Sequence, residues 1–104
     1  MKIPKIPKIT HQQAAILAAL WRGTLSGKEL RARLAALAIK MSSPNFYQMM
    51  ARLERSEKVK GFYDVKPATG GAIRAMRERR YILQPKGAKD VRELFVFYDF
   101  VRSH

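Results

Sequence analysis

The 104 residues suffice for one domain with a modest core, and an apolar content of 47% argues against wholesale disorder. Twenty-one lysines and arginines against eight acids leave a formal charge of +13, a field that favours polyanions: DNA, RNA or an acidic membrane surface. The absence of cysteine excludes disulfides and cysteine-ligated zinc and fits a reducing cytoplasm, where we expect the protein to reside.

Residues 1–9 repeat Lys-Ile-Pro, with Lys2, Lys5 and Lys8 spaced by three. Proline every third residue blocks a helix and favours polyproline II, whose period is also three. This basic extended arm has three readings: a solvated terminus, a strip that follows a phosphate backbone or minor groove, or an Ile3-Ile6-Ile9 edge packed on a partner. The stretch has no continuous apolar core, so it does not read as a signal peptide. The uncharged run from Ile9 to Trp21 is too short and too polar to span a bilayer, and no membrane role is expected.

A first helix is expected from Thr10 to about Arg22, with Ala14, Leu17, Ala18 and Trp21 as one stripe, Ile16 and Leu20 beside it, and Gly23 as its stop. Trp21 reads as core and His11 as surface. Thr24-Leu25 allows one short strand. Ser26-Gly27-Lys28-Glu29 fits the capping box, in which the serine and the glutamate three residues on satisfy each other's free amides. The helix it opens reaches about Leu37, burying Leu30, Leu34 and Leu37 and exposing Lys28, Arg31 and Arg33.

After the connector Ala38-Ile39-Lys40-Met41 comes a sharply started helix over about 43–56. A serine caps its free amides, and Pro44 sits where a missing N–H costs nothing. Phe46, Met50 and Leu53 recur at i, i+4 and i+7 and form the buried stripe. Asn45, Gln48, Met49, Arg52 and Arg55 occupy the other face, where amide and guanidinium groups suit base edges or phosphates in a major groove.

Val59 to Val65 has the β-branched and aromatic content of a strand, Lys66-Pro67-Ala68-Thr69-Gly70-Gly71 breaks it, and Arg79 to Gln84 returns before Pro85. The hairpin then has a basic tip of roughly a dozen residues carrying Lys66, Arg74, Arg77 and Arg79, long for a plain turn. From Lys86 to His104 a last helix is expected, although 94–98 also suits a strand. Its apolar residues cover almost every side: Val91, Leu94, Phe95 and Tyr98 on one stripe, Val96, Phe97 and Phe100 on another. A chain this small cannot bury both, so a second subunit is expected there, with Leu94, Val96, Phe97, Phe100 and Val101 at the interface of a homodimer.

The order helix, helix, helix, strand, basic loop, strand, helix is that of an α+β winged helix-turn-helix with an added C-terminal helix. It divides the chain into an arm (1–9), a winged-helix domain (10–85) and a dimerisation helix (86–104). Leu25-Ser26-Gly27-Lys28-Glu29-Leu30, Ser42, Phe46-Tyr47, Arg52-Leu53-Glu54, Val59 and Tyr81-Ile82-Leu83…Gly87 resemble the PadR family of bacterial transcriptional regulators. Its pattern is close to L-x-G-Y-E-L, S-x-G-T-L-Y-P-x-L-x-R-L-E and Y-x-L-T-x-x-G. The sequence departs from that pattern at Lys28, Pro44, Asn45, Gln48 and Glu57-Lys58. The resemblance implies a dimer joined through the last helix. Members of the family respond to small phenolic or drug-like molecules, but no effector pocket is legible; Trp21, Phe95 and Tyr98 read as packing.

No catalytic constellation emerges. The histidines stand at opposite ends, there is no phosphate-binding glycine loop or metal-ligand cluster, and no enzyme, cofactor or metal is expected. The leading expectation is a dimeric, sequence-specific regulator of double-stranded DNA, a repressor in kind. Asn45, Gln48 and Arg52 would face bases; Lys28, Arg31, Ser42, Ser43, Lys66, Arg74 and Arg77 would hold the backbone. The competing reading is a basic winged-helix module for RNA, nucleoprotein or protein partners without base readout.

Overall fold

Two reciprocal capping boxes start the fold. The computed structural model describes residues 3–66 and 76–104, the side chains at 64–66 and 76–77 excepted. Thr10 accepts from the Gln13 amide and Gln13 returns a bond to the Thr10 amide, opening α1 (His11–Leu20). Ser26 and Glu29 do the same for α2 (Gly27–Ala36). Ser42 caps α3 (Ser43–Arg55), with Pro44 in the first turn. Pro85 opens α4 (Pro85–Ser103), so the final segment is helical throughout and 94–98 is not a strand.

Three antiparallel strands complete the α+β fold: β1 (Leu25–Ser26), β2 (Val59–Lys66) and β3 (Met76–Leu83), ordered β1-β3-β2. Pairing runs from Val59↔Leu83 to Lys66↔Met76, so the paired strands reach further than the turn chemistry of Lys66 to Gly71 and the expected return at Arg79 suggest. Arg77 and Arg79 belong to β3 rather than to the tip; Arg74 lies outside the described residues.

Neither of the two turns that end α2 and α3 is signalled by a glycine. Ala38 (φ 60°) and Glu57 (φ 59°) take left-handed backbone. Ile39 N–H donates to Leu34 C=O and Lys58 N–H to Leu53 C=O, each at 2.9 Å, closing a Schellman turn at both helices. Glu57 is one of the departures from the family pattern. A glutamate there bears a left-handed strain of about 1 kcal/mol, and its carboxylate meets Lys86 at 2.8 Å.

The core gathers Ile16, Leu17 and Leu20 of α1, Leu30 and Leu34 of α2, Phe46, Met49, Met50 and Leu53 of α3, with Val59, Tyr81 and Val91. The placement of five residues is corrected by it. Met49 is buried, because it stands i+3 from Phe46 and i−4 from Leu53 and so completes the stripe. Trp21 (40% exposed) and Leu37 (63%) follow the last residues of α1 and α2 and escape their buried faces. Leu94, expected at a dimer interface, is buried within the chain. Phe95, expected in packing, is half exposed and meets the Trp21 ring edge-on at 5.6 Å between centroids.

The start of α4 is fixed to the turn after α3. Gln84 N–H donates to Lys58 C=O at 2.9 Å, and Lys58 Nζ meets Asp90 at 2.8 Å. A β-carbon on Gly87 would overlap the Lys58 carbonyl and lie 2.8 Å from Leu83, which is why a glycine ends the Y-x-L-T-x-x-G pattern. In the arm, Pro7 is buried and Ile9 packs on the core, while Pro4 and Lys5 line a cleft with Lys89, Arg92 and Val96 of α4. The arm thus runs beside α4. No helix among the described residues is long and apolar enough to cross a membrane.

Candidate nucleic-acid interface

The exposed face of α3 is built by subtraction. Its apolar residues take the four positions that point inward, leaving Asn45, Gln48, Arg52 and Arg55 exposed. None of these side chains makes a hydrogen bond or ion pair within the described residues. Asn45, Gln48 and Arg52 line one cleft of about 230 Å³ together with Gln12, Lys40 and Met41. A second cleft, of about 560 Å³, joins Arg31 of α2 to Ser42 at the α3 cap, with Lys40 again on its wall. Both clefts open beside the start of the same helix, so Lys40 bridges the expected base-reading and backbone-holding residues.

Sequence reasoning misses Gln12 and Lys40. Lys40 carries a signal, a cation two residues before the helix cap. Gln12 carries none, because only the packing of α1 brings its first turn to α3. Lys28 stands exposed in the first turn of α2, and Ser43 is half-buried at the first position of α3. Ser42 Oγ accepts the Asn45 amide at 3.3 Å and keeps its own proton to donate. Lys66 ends β2 and Arg77 is the second residue of β3.

Glu29, Glu54 and Glu78 are engaged by arginines of the hairpin. Arg79 meets Glu54 at 2.7 Å; Arg80 meets Glu29 and Glu78 at 3.5 Å each and donates to Thr24 C=O at 3.3 Å. The Ser26 backbone N–H, donating to Glu29, is the main cause that holds this carboxyl below its ordinary pKa of 4.5. Burial pushes the Tyr81 phenol up, with Arg79 partly offsetting it. Burial alone would lower the Arg79 guanidinium, but contact with Tyr81 and the Glu54 charge outweigh it and keep it above its ordinary range. By contrast Lys28, Arg31, Lys40, Arg52 and Arg55 have no ion-pair partner among the described residues. The positive field is therefore left uncompensated around α3.

A capped helix, an exposed polar helix after it and then a basic antiparallel hairpin make the order of a winged helix-turn-helix. The solved structures similar to this chain carry the same arrangement. A PadR family transcription regulator from hypervirulent Clostridium difficile superposes with a TM-score of 0.73 at 17% identity, over 90% of this chain and 93% of that one. The fold is the PadR winged helix. Bacillus subtilis PadR in complex with operator DNA matches over 88% of this chain and 49% of its own length, at 18% identity and a TM-score of 0.65. The circadian clock associated protein Pex from Anabaena matches at 24% identity and a TM-score of 0.56, over 94% and 88% of the two chains. No family model and no curated protein matches the sequence.

On this fold the motif residues are largely scaffold. Glu29 closes a cap, Glu54 holds the hairpin, Tyr81 fills the core and Gly87 admits the Lys58 carbonyl. Gly27 lies against Tyr47, whose hydroxyl would be 2.9 Å from a β-carbon there, so Tyr47 ties α3 to the start of α2. The departures from the pattern at Asn45 and Gln48 fall on the exposed face of α3.

Proposed function

We propose that this chain is a sequence-specific DNA-binding transcriptional regulator that works as a homodimer in the cytoplasm and represses its target. The observation that carries this reading is the exposed face of α3. Asn45, Gln48 and Arg52 stand together without side-chain partners among the described residues, in an otherwise uncompensated basic field. Asn and Gln match adenine edges and Arg matches guanine, each in bidentate fashion, when such a helix enters a major groove. Arg31, Lys40 and Ser42 flank it and hold phosphates, as do the basic residues of the wing, Lys66, Arg74 and Arg77. The operator DNA bound by the B. subtilis neighbour of the same fold supports the assignment.

Dimerisation uses α4. Phe95, Val96, Tyr98 and Val101 are each about half exposed on one helix, more apolar surface than a lone helix leaves in water without a partner. Phe97 and Phe100 lie at the margins of that surface. Leu94 is used up inside the chain and has no part in the interface.

The test compares binding to duplex DNA and to structured RNA over a range of salt. A regulator of this kind binds duplex DNA with an affinity that falls steeply with salt, and retains a preference among sequences when the common phosphate-driven part is weakened. A preference for RNA that survives raised salt would refute it in favour of a basic module without base readout.

A further inference from the structure

Glu54 is out of place for a nucleic-acid interface. It is an acid in the last turn of α3, where the helix dipole disfavours negative charge, on the helix proposed to enter the major groove of a polyanion. Its surroundings explain its presence. A single carboxylate oxygen, Oε1, accepts the backbone N–H of Gly61 at 2.9 Å and Nη2 of Arg79 at 2.7 Å. Gly61 belongs to β2 and Arg79 to β3, so one atom of the recognition helix holds both strands of the wing.

The site is built around that contact. A β-carbon at Gly61 would collide with the Arg79 guanidinium and lie 2.5 Å from Glu54 Oε1, so a larger residue there would push these two side-chain ends out of their present contact. The guanidinium also lies over the rings of Tyr63 at 5.0 Å and Tyr81 at 5.5 Å, and Tyr81 is anchored in the core. These are the side-chain hydrogen bonds that join α3 to the hairpin among the described residues. Beyond Arg79 the backbones of the two strands pair with each other, from Asp64↔Glu78 to Lys66↔Met76.

We propose that Glu54 is a positioning residue: it fixes the wing against α3 at the angle that lets both grip one duplex, and it contacts no DNA itself. This rests on the DNA-binding reading above. A hairpin freed at its base would still be basic, but the fold would no longer hold its cations in place before binding, and ordering them would cost affinity.

The test uses the full chain with Glu54→Ala and, as a second cut through the same contact, Arg79→Met, which keeps the apolar stem. Each is made alone and together with Arg74→Ala/Arg77→Ala, which strips charge from the wing. Binding to a duplex that the wild type selects is measured over a range of salt, and Gly61 amide exchange is followed in parallel. The expected result is about a tenfold loss of affinity for either cut in the intact wing, falling to under twofold in the stripped wing. The log–log salt slope should drop by about 0.9 for each phosphate that the wing releases. Gly61 exchange should quicken about tenfold or more in Glu54→Ala, while Phe46 and Met50 amides stay protected. An equal loss in both wing backgrounds, or an unchanged Gly61 amide, overturns the positioning role. If Glu54→Ala does not fold, Arg79→Met carries the comparison. A wild-type chain that binds no duplex overturns the DNA-binding reading and this role with it. A wild type that binds, with variants that bind equally well, overturns this role alone.

Discussion

Helices α3 and α4 are buried by one core and differ in what they leave outside. α3 turns Phe46, Met49, Met50 and Leu53 inward, and α4 turns in Gly87, Val91 and Leu94. Outside, α3 offers amides and guanidinium groups, whereas α4 offers Phe95, Val96, Tyr98 and Val101. The inward faces say only that both belong to a small domain. The outward faces separate the partners: hydrogen-bonding cations suit a grooved polyanion, and an apolar face suits another protein surface. The two are also mechanically joined, because Lys58, in the turn that ends α3, receives the start of α4 through its carbonyl and Asp90 through its ammonium group.

The largest expected effect breaks the α4 side of this contrast. Val96→Glu with Val101→Glu puts charge on exposed positions, so folding should persist while the solution mass falls from dimer to monomer in sedimentation. Affinity for a two-fold operator should then fall by about a hundredfold or more as the avidity of paired sites disappears. On the α3 side, Gln48→Ala or Arg52→Ala should each cost about 1–3 kcal/mol on the preferred sequence and change binding to unrelated duplex little. Lys40→Ala and Arg31→Ala should instead weaken all duplexes alike and reduce the salt slope by about 0.9 each. If Gln48→Ala behaves like Lys40→Ala in competition assays, α3 holds phosphates and reads nothing.

The link between the helices is tested by stability. Gly87→Ala should cost about 1–3 kcal/mol, since the added carbon presses on backbone rather than on a side chain that can turn aside. Ala38→Gly should go the other way, raising stability by up to about 1 kcal/mol by relieving left-handed backbone. The smallest effect is in pH. The folded pKa of Glu29 is lowered, so its contribution is present above the ordinary 4.5 and lost as pH falls through the lower folded value. Glu29→Gln should therefore lower the melting temperature slightly in the neutral region and leave the acid end nearly unchanged, which flattens the acid limb of the profile.

Locally encoded features are legible in the chain. The Ser26–Glu29 capping box, the Ser42-Pro44 helix start and the strands are written in adjacent residues, and the structure has them all. Features set by distant packing are not. Trp21 and Leu37 fit their helical stripes on paper but follow the helices' last residues. Leu94 looks spare on α4 until the chain's own packing covers it. The turns at Ala38 and Glu57 carry no glycine to announce them. The role of Glu54 depends on Gly61 and on Arg79, 25 residues away, a pairing that no short window contains. The exposed face of α3 follows from its periodicity apart from Met49, yet its neighbour Gln12 becomes visible only in three dimensions.

Base reading by α3 is probed most directly by selecting bound sequences from a pool of random duplex DNA. A palindromic motif should be enriched, with half-sites spaced by about one helical turn or a multiple of it. Preference at defined base pairs should vanish when Gln48 or Arg52 is replaced by alanine. Recovery of sequences with no shared motif, bound no more tightly than the starting pool, would contradict a base-reading helix.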